Sequence, residues 1–356
     1  IRTLLPDQNG FGILPAQSDD AAADPICVGI AQRAVSDADD RRGGDEADIL
    51  KPPAHLSGRG QAENHSPGTG VQTGQSSCCF HKNPFIPQLW RQWDEKWLSG
   101  QTDAIFVVSI NPSDKDVSII GVPRNSMVNV NIYDSEGHIS KTVFDQICLQ
   151  YPYAGGAEHG LEKAKETVSS LLYNLPIHGS LAIGYEAVSK VNDMAGGVDV
   201  VALESLETPF GDYEKGESLH LEGKYVLAYV KSRDVSVIGS PTMRLERQKQ
   251  YLGALAEKLK KKVRENPMIV KEIYDAVSGY INTDIGIDEM VYLGAQASGY
   301  KFSGEDIHLL KGKDKAVPIV KDGMETGDFY DDLYLDEEGL RETMVRIFYK
   351  EVRLDG

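Results

Sequence analysis

Aromatic residues are confined to part of this chain, and that confinement decides which stretch can build a core. All sixteen tyrosines lie at Tyr133 or later, the three tryptophans (Trp90, Trp93, Trp97) share one short run, and residues 1–80 hold only Phe11 and Phe80. That first stretch is rich in Gly, Ala, Asp and Ser and keeps no sustained period of 2 or 3.6. A segment with so little to bury does not offset the entropy of its own ordering. Residues 1 to about 88 therefore read as disordered or foreign, and the expected division is a low-complexity segment at 1–98 and a folded domain at 99–356. Cys78 and Cys79 adjoin Phe80 and His81, but adjacent side chains point apart. The four cysteines form neither a disulfide framework nor a spaced zinc pattern.

The net charge of −17 argues against nucleic acid as a partner, because phosphates demand a basic face. No run of about 18 apolar residues is present, so no transmembrane helix is expected, and no signal peptide is visible. Ile1 in place of Met reads as the start of a fragment or a processed product.

Within the second stretch, residues 103–110 (DAIFVVSI) and 117–124 (VSIIGVPR) are β-branched runs joined by NPSDKD, the composition of a hairpin turn. Antiparallel pairing of Ile110 near Val117 places Asp103 opposite Arg124 at the open end. Taken alone, that pair reads first as a cross-strand ion pair worth a few tenths of a kcal/mol, and otherwise as part of a site. Further on, Gly155-Gly156 precedes a helical stretch at 158–173. Residues 181–184 read as a strand, 185–194 as a helix, 198–203 as a strand and 224–231 (KYVLAYVK) as another strand. Strands alternating with helices predict a layered α/β domain whose function collects at strand ends. Residues 224–231 then deliver Lys231, Ser232 and Arg233 to such an end.

Residues 244–265 form an amphipathic helix with Leu245, Leu252, Leu255, Leu259 and Val263 on one face. At 100° per residue Gln248 falls among these leucines, Arg244 lies at the stripe's margin, and Arg247 projects away from it. Gln248 satisfied by a backbone carbonyl and Arg244 reaching water is one reading; a polar partner meeting both is the other. Arg124, Lys231, Arg233 and Arg244 all stand at element ends in an acidic chain. Guanidinium forks beside a helix N-terminus suit a pyrophosphate, and Asp103 beside them could hold a divalent metal or accept a proton. The combination points to phosphoryl transfer stabilised by charge. Later segments predict helices opening at Asn266-Pro267, at Asp288 and at 336–350, with a solvated acidic face over 322–338. The scattered histidines carry no metal spacing.

Gln101-Thr-Asp103, Val122-Pro-Arg124, Ala195-Gly-Gly-Val-Asp199, Ala228-Tyr-Val-Lys-Ser-Arg233 and Arg244-Leu-Glu-Arg-Gln248 occur in the order seen in the LytR-CpsA-Psr family, which this chain resembles from about residue 99 to 265 and onward. The resemblance implies an α/β/α sandwich around a central mixed β-sheet. It also implies an extracytoplasmic envelope phosphotransferase, an activity once labelled a cell envelope-related transcriptional attenuator. Such enzymes move a glycopolymer phosphate (teichoic acid, capsular polysaccharide or a related glycan) from a polyprenyl-pyrophosphate carrier at the membrane surface to peptidoglycan. By the same resemblance Arg124, Lys231, Arg233, Arg244, Arg247 and Gln248 bind the pyrophosphate, with Asp103, Arg124 and Arg233 as the catalytic set. Asp103 would hold Mg2+ (or Mn2+), and the lipid tail would lie in an apolar channel. A binding module with little turnover and a pyrophosphohydrolase are the alternatives.

Several positions depart from the family pattern. Lys231 stands for an arginine, Asn125 for an acid, Gln101 for an arginine, and Pro241 for an aspartate for which Asp234 could partly compensate. The family's first strand, ending in Gly-x-Asp with a second metal acid, is not recognisable in residues 1–100, nor is a membrane anchor.

Overall fold

The computed structural model describes residues 2–7, 10–14, 26–33, 100–156, 159–321 and 323–351. The chain divides into two units. Residues 35–95 of the smaller unit, with the Cys78–Cys79 cluster and the tryptophans Trp90 and Trp93, lie outside the described residues. All of the described elements belong to the larger unit. Three strands precede residue 100: β1 (Arg2–Asp7), β2 (Gly10–Leu14) and β3 (Ile26–Arg33). The hairpin expected next is present as β4 (Thr102–Asn111) and β5 (Asp116–Val122), with Ile110 opposite Val117. Beyond it come β6 (Met127–Tyr133), β7 (Ile139–Gln146), α1 (Gln150–Tyr153), α2 (Gly160–Leu171), β8 (Gly179–Ile183), α3 (Tyr185–Ala195), β9 (Val198–Val201) and β10 (Ser218–Leu221). The chain continues through α4 (Lys224–Lys231), α5 (Ser240–Glu265), α6 (Ile269–Val277), β11 (Ile281–Thr283), α7 (Ile287–Ser298) and β12 (Ile307–Leu309). It ends in β13 (Gly312–Lys321), β14 (Met324–Leu335), α8 (Glu337–Phe348) and β15 (Tyr349–Glu351).

The main sheet has the order β11-β8-β3-β4-β5-β12 and is mixed, with β3 parallel to β8 but antiparallel to β4. Period-2 alternation along β4 sends successive side chains to opposite faces. Ile105 and Val107 pack with Val168 and Leu172 and with Leu340 and Met344 of α8. Ala104 and Phe106 pack with Leu245 of α5. Helices thus cover both faces of a mixed sheet, giving the expected α/β/α sandwich. A third cluster, with Val198, Leu221, Val226, Tyr229 and Tyr251, ties α3, α4, α5 and the β9–β10 pair together. Each fully buried aliphatic side chain of this kind contributes roughly 1.5–3 kcal/mol.

Two expectations are corrected. Residues 26–33, inside the segment set aside as low-complexity, form β3 in the middle of the sheet. The first strand is therefore present. Its apolar run ICVGI is short and lacks aromatics, and a strand with neighbours on both sides shows no alternation to betray it. Residues 224–231 are helical rather than extended. An eight-residue apolar run fits a buried helix as well as a strand, and here Val226, Ala228, Tyr229 and Val230 are all enclosed. The acidic run falls largely on Met324–Leu335, one arm of the β13–β14 hairpin, where Glu325 and Asp328 are exposed as expected and Asp332 is buried. Helix α5 also begins at Ser240, a turn before Arg244, with Pro241 in its first turn where no N–H is needed.

Candidate active site

The β4–β5 register carries Asp103 and Arg124 to the same end of the hairpin, as their spacing implied. Arg124 Nη1 lies 2.8 Å from Asp103 Oδ1, and Arg244 Nη2 reaches the same oxygen at 3.1 Å. The other oxygen, Oδ2, accepts from the Tyr185 hydroxyl at 2.7 Å. All four side chains are buried. Burial alone would raise the Asp103 carboxyl above its usual range. Arg244, Arg124, the Tyr185 hydroxyl and Arg233 outweigh it and hold the carboxyl below that range. Tyr185 is pushed far upward by burial and by the Asp103 charge, so its hydroxyl stays a donor.

Around this centre, Arg124 Nη2 donates to Gln101 Oε1 and lies 3.3 Å from Cys148 Sγ. Arg244 Nε is shielded from water with no acceptor among the described residues. Lys231 closes α4 with its Nζ 5.4 Å from the Tyr185 ring centroid. Arg233 donates to Ser240 Oγ at 2.9 Å, at the start of α5. Arg124, Arg233 and Arg244 thus act on one carboxylate, with Lys231 against the ring of the Tyr185 that bonds it. Of the two readings for Arg244, a polar partner wins: the side chain is 4% exposed and does not reach water.

The rest of the motif behaves differently. Gln248 is buried and donates to the Val230 carbonyl at 3.0 Å, the plainer reading of its position. Arg247, expected to project outward, is 1% exposed, among the most enclosed large side chains described. Its Nε meets Glu204 Oε1 at 2.8 Å, and its other nitrogens donate to the carbonyls of Tyr229 and Ser232. A helical wheel assigns one core face, but α5 is covered on a second side by α4 and the segment after β9. Asp234 is exposed and holds the turn to Ser236, away from the cluster.

Tyr185 and Cys148 were not foreseen. Tyr185 could have been, because it opens a helix straight after strand β8 and Gly184, the strand-to-helix position where ligands gather in such sheets. Cys148 gives no local signal. Asp314 and Asp331, which face Asn125 and the start of α5, were also missed, for they come from a hairpin distant in sequence.

An apolar cavity of about 470 Å3 opens between the sheet and α5, α6 and α7, lined by Phe106, Ile119, Leu252, Leu255, Tyr274 and Met290, with Gln248 in its wall. Gln248 therefore belongs to both the cavity and the helix face that carries Arg244. The metal expectation meets a different situation. Both oxygens of Asp103 are already engaged, and among the described residues no group of three His, Cys, Asp or Glu is arranged to hold a metal ion. Strand β3 runs Gly29-Ile30-Ala31, with alanine where a Gly-x-Asp would supply the second acid, and it pairs Gln32 with Ala104 beside Asp103. The described residues do not fit a magnesium centre, and no step is derived through one.

Among known proteins, the polyisoprenyl-teichoic acid–peptidoglycan teichoic acid transferase TagV of Bacillus subtilis is 28% identical over 226 residues, covering 62% of this chain and 54% of that protein. The equivalent TagU of Oceanobacillus iheyensis is 25% identical over 207 residues, covering 56% of this chain and 58% of that protein. The chain thus spans between half and two thirds of the length of these curated relatives. Among solved structures, B. subtilis TagV matches at a TM-score of 0.52 with 22% identity, covering 70% of this chain and 89% of that one. Protein gbs0355 of Streptococcus agalactiae matches at 0.58 with 17% identity, covering 93% and 90%. TagT bound to LI-WTA matches at 0.52 with 16% identity, covering 93% and 92%. These likenesses carry the fold. A profile of the LytR_cpsA_psr family matches residues 91–326, well over half of the sequence, and the chain belongs to that family.

Proposed function

We propose that this domain transfers a glycopolymer phosphate from a polyprenyl-pyrophosphate carrier to peptidoglycan. The observation that supports it most is one juxtaposition: the buried arginine cluster holds Arg244, and Gln248, one helical turn along α5, lines the apolar cavity. A molecule with a doubly charged head and an isoprenoid tail has that polarity. The buried donor at Arg244 Nε has no acceptor among the described residues and suits a phosphate oxygen. The relatives' names specify teichoic acid as the polymer, and capsular polysaccharide is the other donor of the same chemistry. No helix among the described residues is long and apolar enough to cross a membrane. Work at the outer membrane face is proposed from the lipid carrier.

In this reading Arg124, Arg233 and Arg244 neutralise the pyrophosphate, with Lys231 as a further cation. Asp103 orients two of the arginines and is the counter-ion the incoming anion displaces. Gln248 positions the head against the cavity. Arg247 braces α5 against α4 and the segment after β9 rather than touching the ligand. As the bond between the glycan-bearing phosphorus and the bridging oxygen breaks, charge grows on polyprenyl phosphate, where the guanidiniums already point. Electrostatic preorganisation of this kind requires no rearrangement during the step.

The test is incubation of the full chain with a short polyprenyl-pyrophosphoryl saccharide and peptidoglycan oligomers, with and without magnesium, read by mass spectrometry and controlled with Arg233→Ala. A phosphosaccharide on the oligomer, lost in the control, is the expected result. Free phosphosaccharide would make the domain a pyrophosphohydrolase, and bound but unconverted lipid would make it a carrier-binding module.

A further inference from the structure

The β13–β14 hairpin brings to the start of α5 two carboxylates that the pyrophosphate reading leaves unused. The register pairs Asp314 with Leu333 and Ala316 with Asp331, so Asp314 and Asp331 are diagonal neighbours on one face of the ribbon. Lys315 and Asp332 alternate to the other face, where Asp332 Oδ1 accepts from Gln146 Nε2 at 2.8 Å. Both of the first pair converge on Gly239. Asp331 Oδ2 accepts from its backbone N at 2.7 Å, and a Cβ on Gly239 would stand 3.4 Å from Asp314 Oδ2. Gly239 itself sits at φ +82°, a conformation that suits glycine. Asn125, 1% exposed, completes the group, donating to the Asp331 carbonyl at 3.0 Å with its amide beside the Asp314 carboxyl. Arg233 is the cation that faces Asp331, and the same guanidinium acts on Asp103. Arg233 therefore links the hairpin acids electrostatically to the arginine cluster.

A single carboxylate at this place would serve as the cap of α5, and Asp331 Oδ2 does so. A cap explains neither the second acid nor the orphaned oxygens. Asp314 Oδ1, Asp331 Oδ1 and Asn125 Oδ1 are all shielded from water and have no donor among the described residues. Three such acceptors on three neighbouring residues, each Oδ1 without a donor among the described residues, suit hydroxyl hydrogens from a ligand. Burial raises both carboxyls above their usual range. For Asp331 the Gly239 N–H opposes this, the Asp314 charge adds to it, Arg233 opposes it and Asp332 adds again. Carboxyls in that state hold and release a proton nearer to neutrality than free ones do.

We propose that Asp314, Asp331 and Asn125 form the acceptor subsite for a sugar hydroxyl, and that Asp331 takes its proton during transfer. The inference rests on the phosphotransfer reading. The hydroxyl oxygen forms the new bond to the glycan-bearing phosphorus, and its proton passes to the Asp331 carboxylate. The bond to the bridging oxygen breaks, and its electron pair leaves on polyprenyl phosphate. Once the product leaves and opens the subsite, Asp331 gives the proton up to solvent, so no further reactant is needed.

The experiment measures single-turnover transfer on the full chain across pH, with donor binding followed separately, for the wild type, Asp331→Asn and Asp314→Asn. Asparagine at 331 still offers an oxygen to the Gly239 N–H, so the cap is kept. The expected loss in Asp331→Asn is about 10²–10⁴-fold in rate at saturating donor, as for removal of a general base, with donor affinity held within about threefold. The wild-type rate should climb with pH through a value above the ordinary carboxylate range. Asp314→Asn should move that rise to lower pH by removing the neighbouring negative charge. Should Asp331→Asn fail to melt cooperatively, the Asp314→Asn pH profile decides alone. Transfer by Asp331→Asn within threefold of wild type, or an unmoved pH profile in Asp314→Asn, overturns the subsite while leaving the phosphotransferase standing. A wild type that binds donor and yields no transfer product overturns both together.

Discussion

Asp103→Asn tests how the arginine cluster is held together. The substitution keeps size and shape but removes the charge shared by Arg124 and Arg244, whose side chains are 7% and 4% exposed. Removing one partner of a buried pair costs about 3–5 kcal/mol, because the remaining charge stays desolvated. For a domain of this size each kcal/mol moves the melting temperature by roughly 2–4 °C, so a loss of about 6–20 °C follows at neutral pH. Pyrophosphate should restore part of it. A ligand at a hundred times its dissociation constant adds about 2.7 kcal/mol, and in the variant the anion no longer competes with a carboxylate. The pH dependence has a definite sign. Because the arginines and Tyr185 hold the Asp103 carboxyl below its unfolded value, its contribution is complete above about pH 4 and disappears as pH falls through the depressed folded value. Thermal melts of both proteins from pH 7 to pH 2, with and without pyrophosphate, provide the assay. A variant melting within about 2 °C of wild type at pH 7 would refute the reasoning. So would a gap that persists unchanged into acid, or a larger pyrophosphate shift in the wild type.

Arg247→Ala should destabilise by about 3–5 kcal/mol, because it strands Glu204 and two carbonyls; chemical denaturation measures it, and a change below about 1 kcal/mol would show that α5 does not depend on this brace. Leu252→Trp places a larger side chain in the wall of the apolar cavity. Affinity for a polyprenyl-pyrophosphate analogue should fall about tenfold, or 1.4 kcal/mol, while inorganic pyrophosphate binds as before. Equal losses for both ligands in calorimetry would place the tail elsewhere. With both Asp103 oxygens already engaged, inorganic pyrophosphate should bind in EDTA within about threefold of its affinity in magnesium, under 1 kcal/mol. A loss of a hundredfold on chelation would mean that a cation completes the site.

Much of the centre was legible because its parts are local. Two β-branched runs and a turn fix the β4–β5 register, and the register alone brings Asp103 to Arg124. The leucine period of α5 set Arg244 and Gln248 on or beside the buried face, where both lie. Arg247 was misplaced because periodicity describes one face of a helix, and α5 is packed on two. Residues 224–231 were read as a strand because a run so short and apolar carries no period that separates the alternatives. Strand β3 escaped notice through its surroundings. Composition averaged over eighty residues hid a five-residue apolar run whose partners, β4 and β8, lie far along the chain. The hairpin acids were invisible for a related reason. Asp328, Asp331 and Asp332 read as one acidic run, and only the pairing with β13 sends Asp331 and Asp332 to opposite faces.

The β13–β14 ribbon loses its regular register between Pro318 and Val320. Below that break, from Gly312 to Pro318 against Phe329 to Leu335, each residue has a fixed partner, and a slip of one position would turn Asp314 and Asp331 outward and bring Lys315 inward. Above it, Val320 pairs with Glu325 and Lys321 with Met324 in a register of their own. The break works as a mechanical fuse. The tip can gain, lose or exchange residues during divergence, and the change in length is absorbed there before it reaches the positions that face Gly239. Variation among such domains should therefore accumulate at the tip of this hairpin in sequence and in length, while its base keeps the pairing of Asp314 with Leu333 intact.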